Sequence, residues 1–165
     1  MKSAMLSEAQ QARVWEGMLG AEIRSLYFAD LSARYHRHQR LSTWGSLALS
    51  SGAAVSVLAT LPEYLSWLRP ALTLGTAGLS AWTIAMQNQK FAIDAADLHS
   101  RWNRLSKDYE RVWENVYAED AAEKLEALED RAADLSKAGC PFENDEKSML
   151  RWETHVLQQR HLVGA

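Results

Sequence analysis

The chain has little cysteine and little proline, and both shortages narrow what it can be. A single cysteine, Cys140, excludes an intrachain disulfide and fits a reducing compartment. Only three prolines occur in 165 residues, and no stretch has the alternating polar and apolar pattern of a strand. The sequence therefore predicts an almost wholly helical, all-α protein.

Signatures of catalysis are also missing. The chain contains neither of the glycine-rich phosphate-binding patterns, GxxxxGK[ST] and GxGxxG, and no HExxH zinc motif. His36 and His38 are two residues apart, which places them on different faces of a helix, and His155 and His161 have a weak spacing for one metal. We expect no enzyme, no cofactor and no metal site. A net charge of −3 gives no reason to expect nucleic acid as a partner.

Charge is absent from two neighbouring stretches, 41–62 and 70–89, neither of which contains Asp, Glu, Lys, Arg or His. A helix of roughly 20 such residues crosses a hydrocarbon core about 30 Å thick. Since only residues 63–69 separate the stretches, the sequence predicts a hairpin of two transmembrane helices. The alternative is a buried helical hairpin in a soluble bundle.

Basic residues collect on one side of this hairpin. Three arginines, the last of them Arg40, precede the first stretch, and Lys90 and Arg101 follow the second, whereas the connecting loop has Arg69 alone. Lys and Arg accumulate on the cytoplasmic side of a membrane. We therefore expect both termini in the cytoplasm, with Trp44 at the headgroup level of the inner leaflet.

The chain divides into four segments by pattern. They are an N-terminal cytoplasmic amphipathic helix (1–40), the transmembrane hairpin (41–89), one long cytoplasmic helix with an apolar heptad seam (90–138) and a C-terminal helical extension (139–165). No proline separates the first segment from the second, so the first helix can run straight into the first span. Gly139 and Pro141 predict the end of the long helix.

An apolar repeat of 3.5 residues runs along the segment that follows the hairpin. This period is typical of a coiled coil, and we expect it to join copies of the chain in a homo-oligomer. The predicted oligomerisation seam consists of Phe91, Leu98, Trp102, Leu105, Tyr109, Val112 and Val116.

Small residues recur at four-residue steps within both predicted spans. Small side chains let helices approach closely in lipid, where the hydrophobic effect does not drive them together. We expect these faces to hold the two spans against each other. The candidate packing residues are Ala48, Gly52, Ser56, Thr60, Ala77, Ala81 and Ala85.

Polar residues at steps of three and four trace a second line, which is the candidate lining of a pore formed by several hairpins in a ring. Its members are Thr73, Thr76, Ser80, Thr83 and Gln87 in the second span and Thr43, Ser46 and Ser50 in the first. The alternative is that each hydroxyl bonds to a carbonyl one turn earlier in its own helix. Because no charged ring lies within the spans, a pore of this kind should select poorly among ions.

The layout resembles a known family. The basic helix ends in the sequence YHRHQR at 35–40, and the helix after the hairpin contains LHSRW at 98–102 and YERVW at 109–113. Over residues 15–117 this arrangement resembles the SLATT family of two-transmembrane effectors in bacterial conflict (anti-phage) systems. Residues 119–165 have no counterpart that we can assign.

The resemblance implies a function. Members are expected to act with proteins that detect invasion, to assemble in the bacterial inner membrane when triggered, and to breach it, so that the infected cell stops growing or dies. The implied partners are the lipid bilayer, further copies of the chain, and a signal-producing enzyme or nucleotide second messenger from the same operon. The family provides no catalytic residues. The alternatives are a membrane-anchored adaptor or scaffold without pore activity and a soluble helical bundle.

Overall fold

The computed structural model describes residues 6–50 and 88–160, together with isolated positions between them (67, 70–71, 74–75, 77–78 and 81–82). These residues form helices α1 (Glu8–Ser50), α2 (Asn88–Glu114), α3 (Ala121–Gly139) and α4 (Glu146–Gln159). None of the residues described is in a strand. The prediction of an all-helical protein is confirmed.

The first helix begins at a reciprocal cap and continues past the end of the predicted cytoplasmic segment. The Ser7 amide donates to Gln10 Oε1 at 2.9 Å, and the Gln10 amide donates to Ser7 Oγ at 3.3 Å, so two amides that lack helical partners are satisfied. No break occurs at Arg40, and α1 reaches Ser50. The prediction that the N-terminal helix enters the first uncharged stretch without interruption is confirmed.

The single long helix predicted over 90–138 is wrong, because the chain turns back at 115–120. Arg131 Nη1 lies 2.8 Å from Asp108 Oδ2, whereas 23 residues of continuous helix would separate them by about 34 Å. The Asn115 amide donates to the Val112 carbonyl at 3.1 Å and the Ala118 amide to the Asn115 carbonyl at 3.0 Å, which closes the last turn of α2. The slip in the apolar repeat near Ala121 marks this turn.

The chain divides into two compact units. Unit 1 comprises Met1–Leu31 and Asp94–Ala165, and unit 2 comprises Ser32–Ile93. In unit 1, α1 and α2 are antiparallel, since Ser25 Oγ lies 3.0 Å from His99 Nδ1 and Ser106 Oγ donates to the Met18 carbonyl at 3.3 Å. The core side chains of this unit include Val14, Met18, Leu98, Trp102, Leu105, Leu125, Leu128 and Val156.

The last helix lies antiparallel to α1 within unit 1. Arg151 pairs with Asp30 at 2.7 Å, and Arg160 pairs with Glu22 at 3.1 Å. The Asp145 carboxylate caps the helix by accepting from the Ser148 amide at 3.1 Å. The predicted C-terminal helix is therefore confirmed, and it packs on the bundle with Val156 fully buried.

Candidate functional site

Within unit 2, α1 and α2 are held side by side just outside the uncharged stretches, before the first begins and after the second ends. Ser32 Oγ donates to the Ala92 carbonyl at 3.0 Å. The Tyr35 ring stacks on the Phe91 ring with centroids 5.6 Å apart and an interplanar angle of 25°. The chain therefore leaves along α1 and returns along α2 at the same level.

The exposed face of α1 changes from cationic to apolar within one turn. Arg37 and Arg40 are exposed, and the exposed residues that follow on the same side are Leu41 (64%), Trp44 (70%) and Leu47 (57%). Steps of three and four residues keep these positions on one face of the helix. A helix that passes from water through the headgroups into hydrocarbon shows this order of side chains.

Large apolar side chains are exposed elsewhere in unit 2 as well. Trp67, Leu74 and Trp82 are all exposed. In a soluble bundle such side chains are more often in the core. Unit 1 buries Met18, Trp102 and Leu105, although it also exposes Trp113, Tyr117 and Leu150. Trp44 and Trp67 are therefore exposed apolar surface of unit 2.

No helix among the residues described has both the length and the apolar character needed to cross a bilayer. Of the two predicted spans, residues 51–62 of the first and half of 70–89 lie outside those residues.

We define the basic collar as the cluster of basic residues that flanks the uncharged stretches in unit 2. Its members are Arg34, His36, Arg37, His38, Arg40 and Lys90. Lys90 adjoins Phe91, so it lies level with the start of the cluster on α1. Unit 2 contains five Lys and Arg and a single carboxylate, Glu63, which is in the predicted outer loop. Sequence reasoning found the basic flanks, and the structure brings the two flanks to one level.

Most of the predicted pore-lining residues lie outside the described residues, namely Thr73, Thr76, Ser80, Thr83 and Gln87, and of Ser50 the structure describes the backbone alone. Thr43 is exposed, and its Oγ1 donates to the Gln39 carbonyl at 2.9 Å. That bond is the alternative expected for a hydroxyl on a helix. Ser46 is half-buried. A pore lining along this line stays a prediction.

Three of the predicted packing residues are described, and all three, Ala48, Ala77 and Ala81, are exposed. Gly52, Ser56, Thr60 and Ala85 lie outside the described residues. The predicted contact between the two spans therefore stays a prediction.

The heptad seam on α2 packs inside the same molecule. Leu98, Trp102, Leu105, Tyr109 and Val112 are buried in unit 1, Phe91 stacks on Tyr35 in unit 2, and Val116 is half-buried. The repeat correctly identifies a buried stripe, and part of it packs against the chain's own α1, since Gly17 faces the Tyr109 ring and Arg24 lies over the Trp102 ring. That the seam also joins copies of the chain stays a prediction. It would require α2 to give up contacts within its own chain and to pack against another copy instead.

The Tyr109 ring of α2 lies directly against Gly17 of α1. Burial raises the pKa of its hydroxyl above the ordinary value of 10.0, and the nearby Glu129 carboxylate raises this pKa further, against a smaller opposite effect of Arg131. The Tyr109 hydroxyl therefore loses its proton less readily than that of an exposed tyrosine.

Among the cavities of unit 1, two are of similar size. One, of about 480 Å³, lies between α2 and α3 and is lined by Arg111, Lys124 and Arg131. All three cations are paired: Asp108 binds both arginines, at 3.1 and 2.8 Å, and Asp120 binds Lys124 at 2.6 Å. The hydrogen bond from Lys124 lowers the pKa of the Asp120 carboxyl. Sequence reasoning missed this cavity because it depends on the turn between α2 and α3.

The other cavity, of about 470 Å³, has an aromatic wall that includes Phe28, Trp102 and Phe142. The Arg24 guanidinium lies 5.1 Å from the centre of the Trp102 ring, within the range of a cation–π contact. Among the residues described, no group of three or more His, Cys, Asp or Glu side chains could hold a metal ion.

Comparison of the sequence and the fold with protein families, with curated proteins and with solved structures finds no match.

Proposed function

We propose that the chain is a two-span membrane effector of a bacterial anti-phage defence system. Residues 41–62 and 70–89 cross the inner membrane, and both termini lie in the cytoplasm. The observation that carries the proposal is the change on the exposed face of α1 from Arg37 and Arg40 to Leu41, Trp44 and Leu47. The resemblance to SLATT effectors supports the defence role.

The free energy of exposed apolar surface supports the placement in lipid. Moving one large apolar side chain out of water is worth about 1.5–3 kcal/mol. Leu41, Trp44 and Leu47 are all more than half exposed. Their transfer from water into a bilayer would therefore lower the free energy by several kcal/mol in total. Arg40, one residue before them, would stay among the headgroups, where a cation retains its hydration and its counter-charges.

The effector would act as an oligomer that opens the membrane. Because most of the heptad stripe of α2 is buried within unit 1, copies would meet first through their spans. The hydroxyl line from Thr73 to Thr83 would then face the centre of the ring. A partner or nucleotide signal at the cytoplasmic helices would shift the packing of unit 1. A switch between two packings needs only a few kcal/mol.

Membrane integration is tested by fractionation of cells that express the full chain. We expect the chain to stay in the membrane pellet after an alkaline carbonate wash. The double variant Gly52→Lys, Val55→Lys should move to the supernatant, because each lysine near the centre of a span costs about 2.5–3.5 kcal/mol. Leu150→Lys is the matched control, since Leu150 is an exposed apolar residue of α4. A wild-type chain that washes off would refute the membrane proposal.

Pore activity is tested separately in living cells with a dye that reports membrane potential. Induced expression of the full chain, with the neighbouring genes present and phage added, should depolarise the cells before lysis. A membrane-anchored adaptor would remain in the pellet and leave the membrane potential unchanged. That result would contradict the effector proposal and favour the adaptor.

A further inference from the structure

We propose that the basic collar binds the phosphate groups of anionic phospholipids in the cytoplasmic leaflet, so that the chain prefers an anionic membrane to a zwitterionic one. The inference rests on the proposed function, since it requires the hairpin to be in a bilayer. It goes beyond orientation, because it makes lipid headgroups a ligand of Arg37, Arg40 and Lys90.

Three cations of the collar are available for a ligand. Arg37, Arg40 and Lys90 are exposed, and within the described parts of the chain none of them forms an ion pair. The described residues of unit 2 contain no carboxylate. Asp94, one residue beyond unit 2, is the exposed carboxylate that follows Lys90 by one helical turn. A phosphate that approaches Arg37, Arg40 and Lys90 therefore meets cations that no ion pair neutralises.

Unit 1 shows the contrast. There many exposed cations are already neutralised, as in Arg13 with Glu129 at 3.1 Å, Arg101 with Asp97 at 2.8 Å and Lys124 with Asp120 at 2.6 Å. Unit 1 holds 13 Lys and Arg against 20 Asp and Glu. An anionic surface would repel this unit, so attraction to such a surface has to come from the collar.

The position of the collar suits a headgroup rather than a soluble anion. Trp44 follows Arg40 by one helical turn on the same face and is exposed, and tryptophan prefers the boundary between headgroups and hydrocarbon. The arginine guanidinium matches phosphate oxygens with two parallel N–H donors. Arg37 and Arg40 thus lie on the water side of Trp44, where the headgroups would be, and Lys90 adds a third cation from α2.

The test uses the full chain in a neutral detergent, titrated with short-chain phosphatidylglycerol, short-chain phosphatidylcholine and inorganic phosphate. Each cation near an anionic surface contributes about fivefold in affinity. We expect phosphatidylglycerol to bind at least tenfold more tightly than phosphatidylcholine. The triple variant Arg37→Gln, Arg40→Gln, Lys90→Gln should lose this preference, and the matched triple variant Arg104→Gln, Lys107→Gln, Lys147→Gln in unit 1 should keep it.

Equal affinity for the two lipids overturns the inference, as does an equal loss in both triple variants. Inorganic phosphate that competes with phosphatidylglycerol at similar concentration would make the collar a site for a free anion and would also overturn it. Loss of lipid binding in the collar variant is compared with its helical content by circular dichroism, and unchanged helicity excludes unfolding as the cause. The carbonate wash separates the two proposals, because a chain that stays in the membrane but shows no lipid preference refutes the collar alone.

Discussion

A methyl group has no room at Gly17, where α1 crosses Tyr109 of α2. A Cβ atom built there would lie 2.7 Å from both Cε1 and Cζ of the Tyr109 ring. The ring is buried, so it cannot swing aside. At Gly20, three residues on, the nearest atom is Nη1 of Arg24 at 3.0 Å, the end of an exposed side chain that can move. The sequence shows two glycines in a helix and does not distinguish their roles, because the difference lies in the facing helix.

We therefore predict opposite effects from the same change at these two glycines. Gly20→Ala should raise the free energy of unfolding by about 0.5–1 kcal/mol, because alanine favours a helix over glycine. Gly17→Ala gains the same propensity but forces the helices apart, and overpacking costs about 1–3 kcal/mol. Chemical denaturation followed by circular dichroism measures both. Equal stabilisation by the two variants would contradict the close approach of α1 to Tyr109.

The apolar repeat over 90–138 correctly predicts which residues of α2 are buried, but it does not predict how the segment folds. Leu98, Leu105 and Val112 are buried as the repeat indicates. The repeat does not identify the helix that covers them, since a heptad stripe is satisfied equally by another copy or by the same chain. The slip in the repeat near Ala121 shows where the stripe is interrupted, but it does not show that the chain turns back at 115–120. The pair of Arg131 with Asp108, which does show it, leaves no pattern in the sequence.

The contribution of α2 to stability can be tested at Leu105. Leu105 is fully buried, so Leu105→Ala should lower the free energy of unfolding by about 2–5 kcal/mol. Leu150→Ala, at an exposed position of α4, should change it by no more than about 0.5 kcal/mol.

The concentration dependence of this unfolding decides which molecule covers the stripe. If α1 of the same chain packs on Leu105, the denaturation midpoint should not depend on protein concentration in either the wild type or Leu105→Ala. A stripe that joins copies would instead make the midpoint rise with concentration. A concentration-dependent midpoint that Leu105→Ala abolishes would restore the seam as an interface between copies.

Charge is distributed very unevenly over the whole molecule. The net charge of −3 conceals a cationic unit 2 and an acidic unit 1. The basic flanks and the uncharged stretches could be read from the sequence, because both depend on composition within a short window. The sequence does not show that the two flanks lie at one level. That depends on the contacts of Tyr35 with Phe91 and of Ser32 with Ala92, which join residues far apart in the chain.

Ser80 provides the prediction for the assembled molecule. If its hydroxyl faces the centre of a ring of hairpins, Ser80→Leu should narrow and dry the pore, because an apolar constriction opposes the entry of water and ions. Ser80→Thr keeps the hydroxyl and is the matched control. Ion leakage from vesicles that contain the purified chain should fall severalfold with leucine and persist with threonine, at equal amounts of incorporated protein. If instead the hydroxyl bonds to its own helix, as Thr43 does, leucine would leave the leakage unchanged, and the polar line of the second span would not be the lining.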